Sequence, residues 1–218
     1  MTIFTLDSNT DMRLLKEEAL DQIIAGKVIL IPTETQYCLC CNSEKVTAMK
    51  ALNRIKKRDG SIPTAVFVRN WEHASVLVEN APLGMQTFLN RFWPGPLTLV
   101  AKTDRPEWYG VVSESGDVGL RCSSHPFLRE LVSMSFHYLT ATSANVHGMV
   151  PSIDPGTLTN WLAGDIELFI FDPTIKKDAV PSTVISIAER KLQILREGAI
   201  EFSEIERVWR KTVAWRVV

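Results

Sequence analysis

Apolar and polar positions along this chain repeat with two periods. Between residues 12 and 25, Leu15, Ala19 and Ile23 share a helical face with Leu20 and Ile24, and Gly26 suits the C′ position where such a helix stops. The run KVILIP that follows is continuously apolar, the pattern of a strand buried on both faces. A second extended stretch covers Thr35 to Cys41. Ser43 then stands as the N-cap of a helix carrying Val46, Met49, Leu52 and Ile55. That helix ends in Lys56-Lys57-Arg58, where cations complement the C-terminal dipole.

Further strands are predicted at TAVFV, LTLVAK, VGLRC, YLTATS, LFIFD, STVISI and LQILR, and helices near 71–79, 83–92, 126–135 and 202–210. Several neighbouring strands have links too short for a helical crossover. The interleaving therefore predicts an α/β fold with a twisted, mixed parallel and antiparallel sheet flanked by helices. VPSTVISI and LQILREGAI read as an antiparallel pair. No G-x-G-x-x-G and no G-x-x-x-x-G-K-[ST] occurs, so a Rossmann or P-loop site has no sequence support.

Composition narrows the class. The chain has 218 residues, 45% hydrophobic and 22% charged, in the range of an ordinary globular protein. With no repeat and no linker, residues 1–218 are expected to form a single domain. A net charge of −1 excludes a globally basic nucleic-acid binder but not a local basic patch. No apolar run approaches the roughly 20 residues that span a bilayer. The start MTIFTLDSNTDMRLL lacks a basic segment followed by an apolar one, so a cytoplasmic protein with reduced cysteines and no membrane partner is expected.

Candidate chemistry comes from short polar groups. Cys38, Cys40 and Cys41 fall in four positions, but C-x-C-C lacks the paired spacing of zinc ligands, and a strand would point Cys38 and Cys40 one way and Cys41 the other. They read as small buried apolar fillers, with no zinc or other protein-bound metal expected. His73, His125, His137 and His147 show no ligand spacing. Lys56 to Arg58 is either a solvated helix end or a phosphate clamp. TSANVHG, after the apolar YLTA, is either a ligand-contacting turn or a structural one, and WPGPLT reads as a rigid turn. Ser182, Thr183 and Arg196 are polar residues in apolar surroundings.

The order of these segments is more specific than any one of them. PTETQYCLCC, IKKR, WPGPLTLV, VGLR, TSANVHG, PSTV and ILREGAI, between about residues 12 and 200, resemble the YrdC-like family in its short form. The resemblance implies one domain with a deep, positively charged cleft. It implies a nucleotidyltransferase, a threonylcarbamoyl-adenylate synthase that makes threonylcarbamoyl-AMP and pyrophosphate from L-threonine, bicarbonate and ATP, for threonylcarbamoyl modification of adenosine 37 in tRNA. Magnesium is expected to accompany ATP. Implied partners are tRNA or double-stranded RNA and the downstream threonylcarbamoyl-transfer proteins. By the same resemblance Thr33, Arg121 and Ser182 contact threonine. Lys56 and Arg58 are the catalytic cations and hold the ATP phosphates, while Ser143, Asn145 and Arg196 complete the nucleotide site.

The chain departs from the family wording at several places. Cys38 and Cys40 replace glycines, which implies a narrower pocket. Asp59 replaces a proline, Ile62 a lysine and Thr64 a leucine, while His147 replaces a serine. The lost lysine and gained Asp59 imply a local charge change that weakens anion binding. Two other functions suit the same fold: a non-catalytic binder of double-stranded RNA or nucleotide, and a paralogue adenylating a different carbamate.

Overall fold

The short apolar runs become short strands of one twisted sheet, described in a computed structural model for residues 1–162, 164–175, 179–187 and 191–214. Among the described residues ten strands lie in one order. That order is β1 (Thr2–Thr5), β8 (Leu168–Phe171), β2 (Ile29–Ile31), β3 (Cys38–Cys40), β7 (Leu139–Ser143), β4 (Ala65–Phe67), β6 (Asp117–Arg121), β5 (Leu97–Lys102), β9 (Thr183–Ser186) and β10 (Gln193–Arg196). The β1–β8, β2–β8, β4–β6 and β5–β9 pairs are parallel. The β2–β3, β3–β7, β4–β7, β5–β6 and β9–β10 pairs are antiparallel. The sheet is mixed, as the short links predict.

One face is covered along its length. Leu30, Leu39, Val66, Leu99, Leu120 and Ile185 point into a core closed by α2 (Val46–Ile55), α4 (Met85–Leu89), α6 (Pro155–Leu162) and α7 (Phe202–Thr212). The other face is covered on one half only. There α1 (Met12–Ile24) and α5 (Pro126–Met134) bury Ile29, Ile31, Cys40, Phe67 and Leu139 beneath Leu15, Ala19, Ile23, Phe127 and Leu131. Full burial of one such aliphatic side chain contributes about 1.5–3 kcal/mol. Past Phe67 no helix among the described residues covers this face, and residues two apart along the remaining strands face an open cleft instead. That uncovered half of the sheet is the floor of the site described below.

Local signals explain most boundaries. Asp11 starts α1 by accepting from the backbone N–H groups of Arg13 and Leu14, both at 3.1 Å. Gly26, with φ +85, ends it in the left-handed conformation that a C′ glycine adopts readily. The Ser43 expectation is corrected. The cap residue of α2 is Lys45, with no side-chain capping bond, and Ser43 instead donates its hydroxyl to the carbonyl of Tyr138 at 2.6 Å. Asn42 organises the turn in its place, its side-chain oxygen accepting from the N–H of Glu44 at 2.9 Å. Strand β1 and helix α6 were not anticipated. All four residues of β1 are exposed at the sheet edge, so it carries no buried alternation to read.

Candidate active site

The uncovered half of the sheet forms a cleft of about 670 Å³. Its floor follows from strand alternation. On β6, Val118 and Leu120 enter the core while Asp117, Gly119 and Arg121 line the cleft. On β5, Leu97 and Leu99 enter the core while Thr98 and Val100 line it. Ala65 and Ala141 continue the floor, and small residues are needed there: a Cβ on Gly119 would lie 2.9 Å from the Cβ of Ala65. The walls come from the turn after β2, the end of α2, the turn after β7 and the β9–β10 pair.

All eight residues singled out in the sequence line this one cleft: Thr33, Lys56, Arg58, Arg121, Ser143, Asn145, Ser182 and Arg196. Thr33 is buried, and its hydroxyl shapes its own turn. It donates to the carbonyl of Gln36 at 2.6 Å and accepts from the N–H groups of Thr35 and Gln36. Lys56 sits at the C-cap of α2, only 3% exposed. Its ammonium donates to the carbonyls of Ser143 at 2.6 Å and Asn145 at 2.9 Å, and to the side-chain oxygen of Asn145 at 3.1 Å. Its own carbonyl accepts from the N–H of His147 at 3.0 Å. Ser143 donates its hydroxyl to the same Asn145 oxygen at 2.6 Å. The KKR and SAN segments are thus one interlocked unit.

On the opposite wall Arg196 folds back across the hairpin. Its Nε and Nη2 donate to the carbonyl of Ser182 at 3.2 and 2.8 Å, and Nη2 also to the Ser182 hydroxyl at 3.0 Å. That hydroxyl lies 3.0 Å from the hydroxyl of Thr98. Gly198 permits the close approach, since a Cβ there would stand 2.4 Å from the carbonyl oxygen of Pro181. Arg121 donates to Glu34 Oε1 at 2.9 Å and to the hydroxyl of Thr35, while Ser123 donates to the other Glu34 oxygen. Burial alone would raise the Glu34 carboxyl, but the charge of Arg121 and the Ser123 bond hold it below the ordinary value.

The cations crowd in two pairs. Burial, and then the charge of Arg58, lower the Lys56 ammonium to about 8; burial and then Arg121 lower the Arg196 guanidinium. Groups held short of their usual proton affinity by burial and by a like-charged neighbour gain from an anion placed among them. Such a cleft can bind phosphate and carboxylate groups, and it holds them by charge and by directed N–H donors.

Several further polar side chains hold or line this cleft without a role assigned to them by the sequence. Glu34 and Thr35 lie inside the PTET segment, and Thr98 is the one uncharged polar residue in the run LTLVAK. Ser123, Asn53 and Thr64 carried no local signal, because each is defined by a partner distant in sequence or by the turn after α2. Asp59 is corrected. It is exposed, accepts from the N–H of Ser61 at 2.9 Å, and neither it nor Ile62 lines the cleft. The negative charge of Asp59 therefore falls on solvated surface, where it is screened. The cysteines divide between faces as expected: Cys38 and Cys40 pack under α1 and α5, and Cys41 on the other side. Only Cys38 of the two glycine replacements lines the cleft.

Known proteins resemble this chain along most of its length. Residues 21–198 match the Sua5/YciO/YrdC family model, which bears the description "Telomere recombination". A threonylcarbamoyl-AMP synthase of Pyrococcus abyssi is 31% identical over 183 residues, covering 84% of this chain and 54% of that protein. The chain thus spans about half the length of that relative. A threonylcarbamoyl-AMP synthase of Vibrio cholerae is 30% identical over 186 residues, covering 84% of this chain and 96% of that one. The crystal structure of P. abyssi Sua5 complexed with L-threonine superposes with a TM-score of 0.84 at 27% identity, covering 99% of this chain and 63% of that one.

Proposed function

This chain belongs to the Sua5/YciO/YrdC family, and from that premise we propose that it is a threonylcarbamoyl-AMP synthase. It takes L-threonine, bicarbonate and ATP. The threonine amine and bicarbonate give an N-carboxylate with loss of water. A carboxylate oxygen of that carbamate then attacks the α-phosphorus of ATP in line. The new O–P bond forms as the bond between the α-phosphorus and its bridging oxygen breaks, and pyrophosphate leaves. The product, threonylcarbamoyl-AMP, passes to the proteins that transfer the group to adenosine 37 of tRNA.

The observation that carries this reading is the convergence of eight motif residues on one cationic cleft. The reaction brings anionic reactants together, so it calls for cationic clamps and positioning more than for a covalent nucleophile. Lys56 and Arg58 are the catalytic cations in this reading and face the phosphates with Ser143, Asn145 and Arg196. Thr33, Arg121 and Ser182 face threonine. ATP enters as its magnesium complex. Among the described residues no three His, Cys, Asp or Glu side chains gather as a metal site.

The continuous sheet from β1 to β10 supports reading residues 1–218 as one domain. Among the described residues no helix is long and apolar enough to cross a membrane. A cytoplasmic setting belongs to this reading, and the four unpaired thiols suit a reducing compartment. The test is pyrophosphate release from ATP and bicarbonate, with and without L-threonine. Threonine-dependent release that is lost in Arg58→Ala is the expected result. Release that ignores threonine would replace the synthase with an enzyme that adenylates a different acceptor, and no release beside saturable tRNA binding would replace it with a non-catalytic binder.

A further inference from the structure

Arg58 is held from behind by two neutral side chains. Its Nε donates to the side-chain oxygen of Asn53 at 2.9 Å, and its Nη2 donates to the hydroxyl of Thr64. Both acceptors are buried, Asn53 at 5% and Thr64 at 2% exposure. Both are also fixed in place. Asn53 lies on α2, while Thr64 precedes β4 with its own N–H bonded to the carbonyl of Gly110 at 2.8 Å. The chain returns to Asn53 because Lys57 adopts φ +49, and the N–H of Arg58 then bonds the Asn53 carbonyl at 3.1 Å.

These bonds use two of the five N–H donors of the guanidinium. Both Nη1 donors and one on Nη2 remain, on a residue that lines the cleft. Burial is the cause that lowers its proton affinity, and no carboxylate contributes. Arg121 differs, since Glu34 neutralises it. Thr64 offers its acceptor oxygen on a side chain whose β-branch restricts rotation.

We propose that Thr64, together with Asn53, is a positioning residue that orients Arg58 so that its three remaining donors face the reacting phosphate and carbamate. The assignment of those ligands rests on the synthase reading; the orientation itself does not. A guanidinium locked in place loses less freedom when charge develops in front of it, so the effect falls on turnover more than on threonine binding.

Thr64→Val keeps shape and removes the acceptor, and Thr64→Ser keeps the acceptor. In Thr64→Val we expect the threonine-dependent kcat to fall roughly ten-fold, with KM for threonine within about two-fold, the loss expected for one bond to a charged group. Thr64→Ser should restore most of the rate. Nitrogen-15 spectra of the arginine side chains, with Arg58 assigned through Arg58→Lys, give a readout independent of turnover. Slow rotation should separate the Arg58 Nη signals in the wild type and in Thr64→Ser, and Thr64→Val should average them. If Thr64→Val does not fold, Thr64→Ala, which adds no bulk, serves in both measurements. Unchanged Arg58 signals in the acceptor-free variant, or an unchanged kcat in an active enzyme, overturn the proposal. A wild type that shows locked signals but no threonine-dependent pyrophosphate release refutes the synthase reading and leaves the orienting role standing.

Discussion

The ammonium of Lys56 lies 2.6 Å from the carbonyl oxygen of Ser143, joining the end of α2 to the turn after β7 across a cleft wall. Two further bonds to Asn145 use its remaining donors. Lys56→Met keeps the apolar stem and removes all three bonds. We expect a stability loss of about 2 kcal/mol in urea unfolding, the scale of charged hydrogen bonds that leave buried acceptors behind. ATP affinity should fall at least about ten-fold by calorimetry, because the SAN turn loses its anchor as well as a charge.

The same lysine gives a pH signature. Burial and the nearby charge of Arg58 lower its ammonium from 10.5 to about 8, so the folded protein binds fewer protons than the unfolded chain between those values. The contribution of Lys56 to stability is therefore complete above 10.5 and is lost as pH falls through about 8. Anion binding runs the other way, since the charge disappears as pH rises through about 8. Titrating ATP affinity from pH 7 to 9 should show this decline in the wild type, and Lys56→Met should lack it.

Arg121 and Glu34 form a buried pair, with side chains only 12% and 16% exposed. Glu34→Gln keeps the shape but strips Arg121 of its counter-charge, which costs about 3 kcal/mol when one partner of such a pair is removed. The carboxyl of Glu34 lies below its ordinary value of 4.5, so its stabilising contribution is present above 4.5 and is lost as pH falls through the folded value. Unfolding free energies of wild type and variant should therefore differ most near neutrality and converge in acid.

The periodic parts of this fold were legible because burial writes itself into spacing. Leu15, Ala19 and Ile23 mark the face of α1, and the VPSTVISI and LQILREGAI runs pair antiparallel as read. The helices predicted near 71–79 and 83–92 are shorter in the structure and cover only Trp71–Ser75 and Met85–Leu89. The cleft was legible as an ordered set of motifs. Its internal wiring was not, because Lys56 finds Ser143, Arg121 finds Glu34 and Arg196 finds Ser182 across long stretches of chain. Asp59 shows the converse error: nearness in sequence to Arg58 did not bring its carboxylate to the cleft.

Gly198 supplies a test of the hairpin wall. A Cβ at this position would sit 2.4 Å from the carbonyl oxygen of Pro181 and 2.5 Å from the carbonyl carbon of Ser182, so Gly198→Ala must push the two segments apart. Overpacking of this kind costs about 1–3 kcal/mol. The bonds from Arg196 to Ser182 should lengthen with it, and ATP affinity should fall alongside thermal stability. Gly116→Ala is the comparison. Its φ of +79 carries strain but nothing lies within 4 Å, so its loss should stay near 1 kcal/mol.

The cysteines give the last prediction. Burial raises the thiol of Cys38 to about 11 and that of Cys41 to about 12, and holds Cys40 well above its ordinary value. Cys122 is raised to about 11, again chiefly by burial. Thiolate is the reactive species, so at pH 8 each side chain is both protonated and enclosed. A disulfide reagent such as Ellman's should therefore label none of the four in the native protein on the timescale of minutes. In denaturant it should label all four at once. Cys38 is the discriminating case, because it alone among them lines the cleft, between Lys56 and Arg121 whose charges both favour its thiolate. Rapid native labelling at Cys38 alone would mean that the cleft opens to solvent at the strand β3 wall.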